Sequence, residues 1–109
     1  MAVLDPEKDA AVIAELKSKH GAIHQLTLGA DSVVVRLPSR FEYRKWQAEM
    51  LDEKKRVDAA EGLLFPCIVW PDQAARDSMF MARPGLLTTF TSDLLELAGV
   101  AKETEKKAL

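Results

Sequence analysis

The apolar positions along the chain change period several times, and each change marks an element. Asp5 followed by Pro6 reads as an N-cap with proline at the first helical position. Val12, Ile13, Leu16 and His20 then form one narrow apolar stripe, and Gly21 ends the helix. From Ala22 the period falls to two. Leu26 and Leu28 alternate with Gln25 and Thr27, Gly29-Ala30-Asp31 supplies turn chemistry, and Val33, Val35 and Leu37 alternate with Val34 and Arg36. The pattern predicts a hairpin with one buried face. Because two strands alone are marginal in water, that Leu/Val face must pack against a helix.

Pro38 stops the second strand, and Ser39-Arg40-Phe41-Glu42 has the S-x-x-E spacing in which a hydroxyl and a carboxylate satisfy the free amides of a helix start. In the helix that follows, Tyr43, Trp46, Met50 and Val57 share a narrow arc, while Asp52 to Arg56 is a solvated charged stretch. So thin a stripe predicts a helix mostly in water, touching the rest of the protein, or a partner, along one edge. Asp58 and Glu61 repeat the cap spacing ahead of Leu63-Leu64-Phe65, and Pro66 either kinks or ends that helix. Ile68-Val69-Trp70 is apolar on all sides, which favours a central buried position. Pro71-Asp72 opens a helix from about Gln73 to Ala82. Pro84 opens a last one, in which Leu86, Leu87, Phe90, Leu94, Leu97 and Ala98 cover roughly 120° before Gly99 stops it.

These elements predict an α+β fold, mostly α, in the order α-β-β-α-α-α-α: an N-terminal helix and a two-stranded β-hairpin followed by a compact bundle of about four helices. A length of 109 residues suffices for one modest core, expected over residues 1–100, with 101–109 a charged, frayed tail. At 48% hydrophobic and 29% charged the chain is expected to fold, and a formal charge of -2 gives no global field for a polyanion. The single cysteine, Cys67, lies in an apolar run, as a core thiol in a reducing compartment would. The acidic start MAVLDPEKDA is unlike a signal peptide, and the longest apolar run, Leu63 to Trp70, is far shorter than the ~20 residues of a membrane span. A cytoplasmic location is expected.

Candidate chemistry is sparse. His20 and His24 have a ligand-like spacing, but Gly21 breaks the helix between them and no third ligand follows, so no metal site is expected. Cys67 has no neighbouring cation in sequence to make it a nucleophile. No phosphate-cradling or hydrolase motif occurs, and the carboxylates Glu42, Glu49, Asp52, Glu53, Asp58 and Glu61 lie at caps or on the polar helix. The reading is a protein that is no enzyme, with no cofactor and no small-molecule substrate. Arg36, Arg40, Arg44, Lys45, Lys54, Lys55 and Arg56 interleave with Phe41, Tyr43 and Trp46 as in a nucleic-acid surface, yet four acids in the same window dilute the field and favour a solvated face. Met79-Phe80-Met81 is the informative oddity. Consecutive helical side chains fan over about 200°, so either a helix sandwiched between two others buries all three, or at least one meets another chain.

From Ala22 to Gly99 the chain resembles the small tail-assembly chaperones of tailed bacteriophages, in which a short hairpin precedes a polar helix and a compact helical region. The residues that carry the likeness are Val33-Val34-Val35-Arg36-Leu37-Pro38-Ser39-Arg40, then Leu63-Leu64-Phe65-Pro66-Cys67, then the Leu86 to Gly99 helix. Pro66 departs from the pattern. The resemblance implies a non-enzymatic factor that keeps the long, helical tape measure protein soluble while tail tube subunits polymerise, in the host cytoplasm. It carries over no catalytic residue. An apolar strip must shield the partner, and Tyr43, Trp46, Met50, Met79, Phe80 and Met81 are the candidates. The rival readings are a small structural subunit of a phage tail or baseplate, and a nucleic-acid-binding regulator using the Arg36 to Arg56 surface.

Overall fold

The computed structural model describes residues 4–100 and 106–109. It is an α+β fold, mostly helical, with the elements α1 (Ala10–His20), β1 (Ile23–Leu28), β2 (Asp31–Arg36), α2 (Arg40–Leu51), α3 (Arg56–Cys67), β3 (Ile68–Trp70), α4 (Gln73–Ala82) and α5 (Gly85–Leu97). The expected helix, hairpin and helical bundle are all present. Most of the tail expected at 101–109 lies outside the described residues, and 106–109 are exposed and without regular structure.

The sheet differs from expectation. It has three strands in the order β1-β2-β3, both pairings antiparallel. In the hairpin Leu28 pairs with Asp31, and Gly29, at φ 62°, supplies the positive φ that so short a loop needs at its first position. Ile68-Val69-Trp70, expected as a central buried run, is a half-buried edge strand on β2, with Val34 opposite Trp70 and Val35 opposite Ile68 across an irregularity. Three residues are too few for a periodicity to announce a strand. Pro66 ends α3 rather than kinking it. The helix closes one residue later, and the amide of Ile68 donates back to the carbonyls of Leu64 and Phe65.

The central strand β2 is buried on both faces, not one. Val33 and Val35 point into the main core with Leu63, Leu64 and Cys67 of α3, Met79 and Phe80 of α4, and Leu86, Phe90 and Leu94 of α5. Val34, expected on a solvated face, lines a small apolar hollow with Leu4, Ile13 and Ile23, so α1 and the chain leading into it form a second, thinner layer. Gln25 fixes that layer. Its side-chain amide donates to the carbonyl of Leu4 (3.1 Å) while its oxygen accepts from the Leu4 amide (2.9 Å). The α1 stripe is weaker than its sequence suggested: Ile13 and Leu16 are half-buried, Val12 and His20 exposed. Asp5 organises a turn through the amides of Glu7 and Lys8, and the helix itself begins at Ala10 behind Asp9.

The polar helix is also divided. Asp52 accepts from the Lys54 amide at 2.9 Å, a local side-chain bond that competes with helix continuation, and the chain turns there between α2 and α3. Val57 therefore belongs to α3 and leaves the stripe of Tyr43, Trp46 and Met50. On the far side of the core, Phe80 stacks obliquely on Phe65 (5.2 Å between centroids) and edge-on to Phe90 (6.3 Å), with the Arg76 guanidinium 4.4 Å over Phe65. No helix among the described residues is long and apolar enough to cross a membrane.

Candidate partner-binding surface

The six residues picked out as contacts divide three ways. Met79 and Phe80 lie in the core and are not available to a partner. Tyr43 and Trp46 are half-buried with rings 5.7 Å apart, Trp46 packing against the core. Met50 is at the margin of exposure, and Met81 is 84% exposed on α4. The triplet thus splits, two side chains inward and one outward.

The most exposed apolar residues on the α2–α3 hairpin are not among the six contact candidates: Phe41 (76%), Leu51 (85%) and Val57 (83%). The signal was present in the sequence. At about 100° per residue Phe41 stands about 180° from Met50, so a helix that turns Tyr43, Trp46 and Met50 inward must turn Phe41 outward. Phe41, Arg44, Lys45, Ala48 and Leu51 share an outward arc of about 120°, all exposed.

The acids of α2 are turned elsewhere. Glu42 receives two hydrogen bonds from Arg36, Nη1 to Oε1 at 2.8 Å and Nη2 to Oε2 at 2.9 Å, and a third from the Ser39 amide at 2.8 Å, while its own amide donates to Ser39 Oγ at 3.1 Å. The capping box expected from Ser39 and Glu42 is thereby tied to the end of β2. The hydrogen bonds from Arg36 hold the Glu42 carboxyl at about 2, against its ordinary 4.5, and Glu42 in turn raises Arg36. Glu49 lies along α3, its Oε1 beside Gly62. Arg40, Arg44 and Lys45 form no ion pair among the described residues, so the outward face of α2 is basic and apolar although the helix as a whole is mixed.

The other chemical candidates stay apart. Cys67 is fully buried, and burial pushes its thiol up to about 11. A disulfide reagent at pH 8 is expected to leave Cys67 unmodified in the folded protein and to titrate one thiol after denaturation; stoichiometric labelling of the native chain would show the thiol to be accessible. His20 is exposed at the end of α1, whereas His24 is half-buried in β1 with Nδ1 lacking a hydrogen-bond partner. No cluster of three or more His, Cys, Asp or Glu placed to hold a metal occurs among the described residues. Asp31 is buried at the hairpin and bonded by Arg83 at 2.8 Å, fastening the end of α4 to the sheet beside an open hollow of about 420 Å3. A second hollow of similar size lies between the start of α2 and the end of α5, lined by Ser39, Arg40, Tyr43 and Gly99.

The architecture defines the chain as a small α+β domain with a three-stranded antiparallel sheet between a thin helical layer and a thick one. No family model and no curated protein matches it. Among solved structures it is similar to an uncharacterised protein from Bacillus stearothermophilus, at 23% identity and a TM-score of 0.74, with 87% of this chain and 99% of that one covered. At that identity the likeness defines the fold alone.

Proposed function

We propose that the protein is a non-enzymatic assembly factor that binds another protein, in the manner of a phage tail-assembly chaperone that shields a long helical tape measure protein in the host cytoplasm. The observation that carries this reading is the contrast between a closed core and an open hairpin. Phe90, Leu63, Leu64 and Leu94 are sealed, yet Phe41, Leu51 and Val57 stand in water on α2 and α3. A chain that seals those four side chains leaves a phenylalanine and a leucine on one helix face at a cost in solubility, and contact with another protein offsets that cost. Met81, on α4, is a second exposed contact of the adaptable kind.

Co-expression tests the proposal. The tape measure protein of the same genome should stay in the soluble fraction with this chain present and precipitate without it; equal solubility in the two cases would overturn the chaperone reading. Mass spectrometry of finished particles separates the structural-subunit alternative, since a chaperone is absent from the particle and a subunit is present in fixed stoichiometry.

A further inference from the structure

We infer that the outward face of α2 docks an acidic amphipathic helix of the partner protein. The inference rests on the protein-binding reading above and adds the chemistry of what is bound. Three features of the face point to it.

The first is charge. Arg40, Arg44 and Lys45 lie on or beside the outward arc and form no ion pair among the described residues, while the two acids of the same helix are turned toward Arg36 and toward α3. Beyond Leu51 acids accompany the cations, Asp52, Glu53 and Asp58 against Lys54, Lys55 and Arg56, so the excess of cations is local to the first two turns. A surface of this kind favours carboxylates on its partner and repels a basic one.

The second is shape. Phe41 and Leu51 are about 15 Å apart along the axis, with Ala48 between them on the same face. A small residue between two large ones leaves a dip where the side chain of a crossing helix fits at the usual 8–10 Å separation of axes. An apolar ridge repeating at i, i+3, i+4 and i+7 would cover Phe41 and Leu51, and acids flanking that ridge would reach Arg44 and Lys45.

The third is what the face lacks for its competitors. Three cations release few counterions from a nucleic-acid backbone, and an exposed leucine gains nothing from phosphate. A lipid surface needs a continuous apolar side on its helix, and α2 has turned Tyr43 and Trp46 inward against the protein.

The test uses fluorescence anisotropy with the full chain and four labelled or competing probes. These are a synthetic helix of about 20 residues with an apolar ridge flanked by glutamates, the same helix with lysines in place of the glutamates, a single-stranded oligothymidylate, and phosphatidylserine vesicles. The glutamate helix should bind, should weaken with added salt, and should lose at least about tenfold in affinity to both Arg44→Glu/Lys45→Glu and Phe41→Ala/Leu51→Ala. All four substituted side chains are exposed, so circular dichroism should show both double variants folded. Equal binding of the lysine helix, or unchanged affinity in the double variants, overturns the assignment of an acidic partner while leaving protein binding intact. Tighter binding of the oligonucleotide or the vesicles overturns both readings. If no helix binds but the tape measure protein is still kept soluble, this inference alone falls.

Discussion

Phe80→Asp should unfold the domain. Phe80 is the ring through which α4 meets α3 and α5, in contact with Phe65 and Phe90, and it is only 9% exposed. Losing a buried phenylalanine side chain costs about 3–5 kcal/mol, and placing a carboxylate in that apolar cluster adds several more for desolvation. A domain of this size has about 5–15 kcal/mol in all. Circular dichroism of the variant at 25 °C should show loss of the cooperative thermal transition. The neighbouring change Met81→Asp is the control: its side chain is in water, and the expected shift in stability is within about 0.5 kcal/mol. A folded Phe80→Asp protein would mean that α4 does not pack as described.

Breaking the Arg36–Glu42 pair should have the next largest effect, and it carries a pH signature. Arg36 closes β2, Glu42 lies in the first turn of α2, and the bidentate bond fixes the angle at which α2 leaves the sheet. Both side chains are mostly covered, and charge-assisted hydrogen bonds of this kind contribute about 1.5–3 kcal/mol. Arg36→Ala should lose about that amount in urea unfolding at pH 7, with the slope unchanged. The folded protein holds the Glu42 carboxyl at about 2, below its ordinary 4.5, so the folded state binds that proton more weakly than the unfolded one. Its contribution is complete above the ordinary value and is lost as the pH falls from 4.5 towards 2. Glu42→Gln should flatten the decline over that interval; an identical acid profile in the variant and the wild type would assign the acid sensitivity to other groups.

How much of this was legible in the sequence depended on the length over which a pattern could declare itself. The cap Ser39-x-x-Glu42, the cap at Asp72, the hairpin turn at Gly29 and the wide apolar arc of α5 are local devices written in adjacent residues, and the structure has them in place. The third strand was hidden because Ile68-Val69-Trp70 is too short to show alternation and gains its identity only by pairing with Val34 and Val35. β2 is covered on both faces because the α1 layer lies over Val34 and the main core over Val33 and Val35, a tertiary fact that no single strand contains. The break at Asp52 was missed because its sequence reads equally well as charged helix; in the fold the Asp52 carboxylate accepts from the Lys54 amide and its carbonyl from the amides of Lys55 and Arg56, which closes a turn there.

The candidate surface was half legible for a related reason. Counting charges along residues 36 to 56 gives a mixture, and the mixture suggested a neutral, solvated face. Folding sorts it. Glu42 is committed to Arg36 and Glu49 to the α3 side, which leaves Arg44 and Lys45 beside Phe41 and Leu51. The Met79-Phe80-Met81 triplet left both burial and exposure open in the sequence, and it distributes its side chains two to the core and one to water.

The claim that this chain works by binding protein through the outward face of α2 is tested most directly by amide shift mapping of the 15N-labelled protein with a segment of the proposed partner, the tape measure protein of the same genome. The largest changes are expected at Phe41, Arg44, Lys45, Ala48 and Leu51, with the core of α5 unmoved. Changes centred instead on α4 or on the Asp31–Arg83 hollow, with α2 silent, would contradict it.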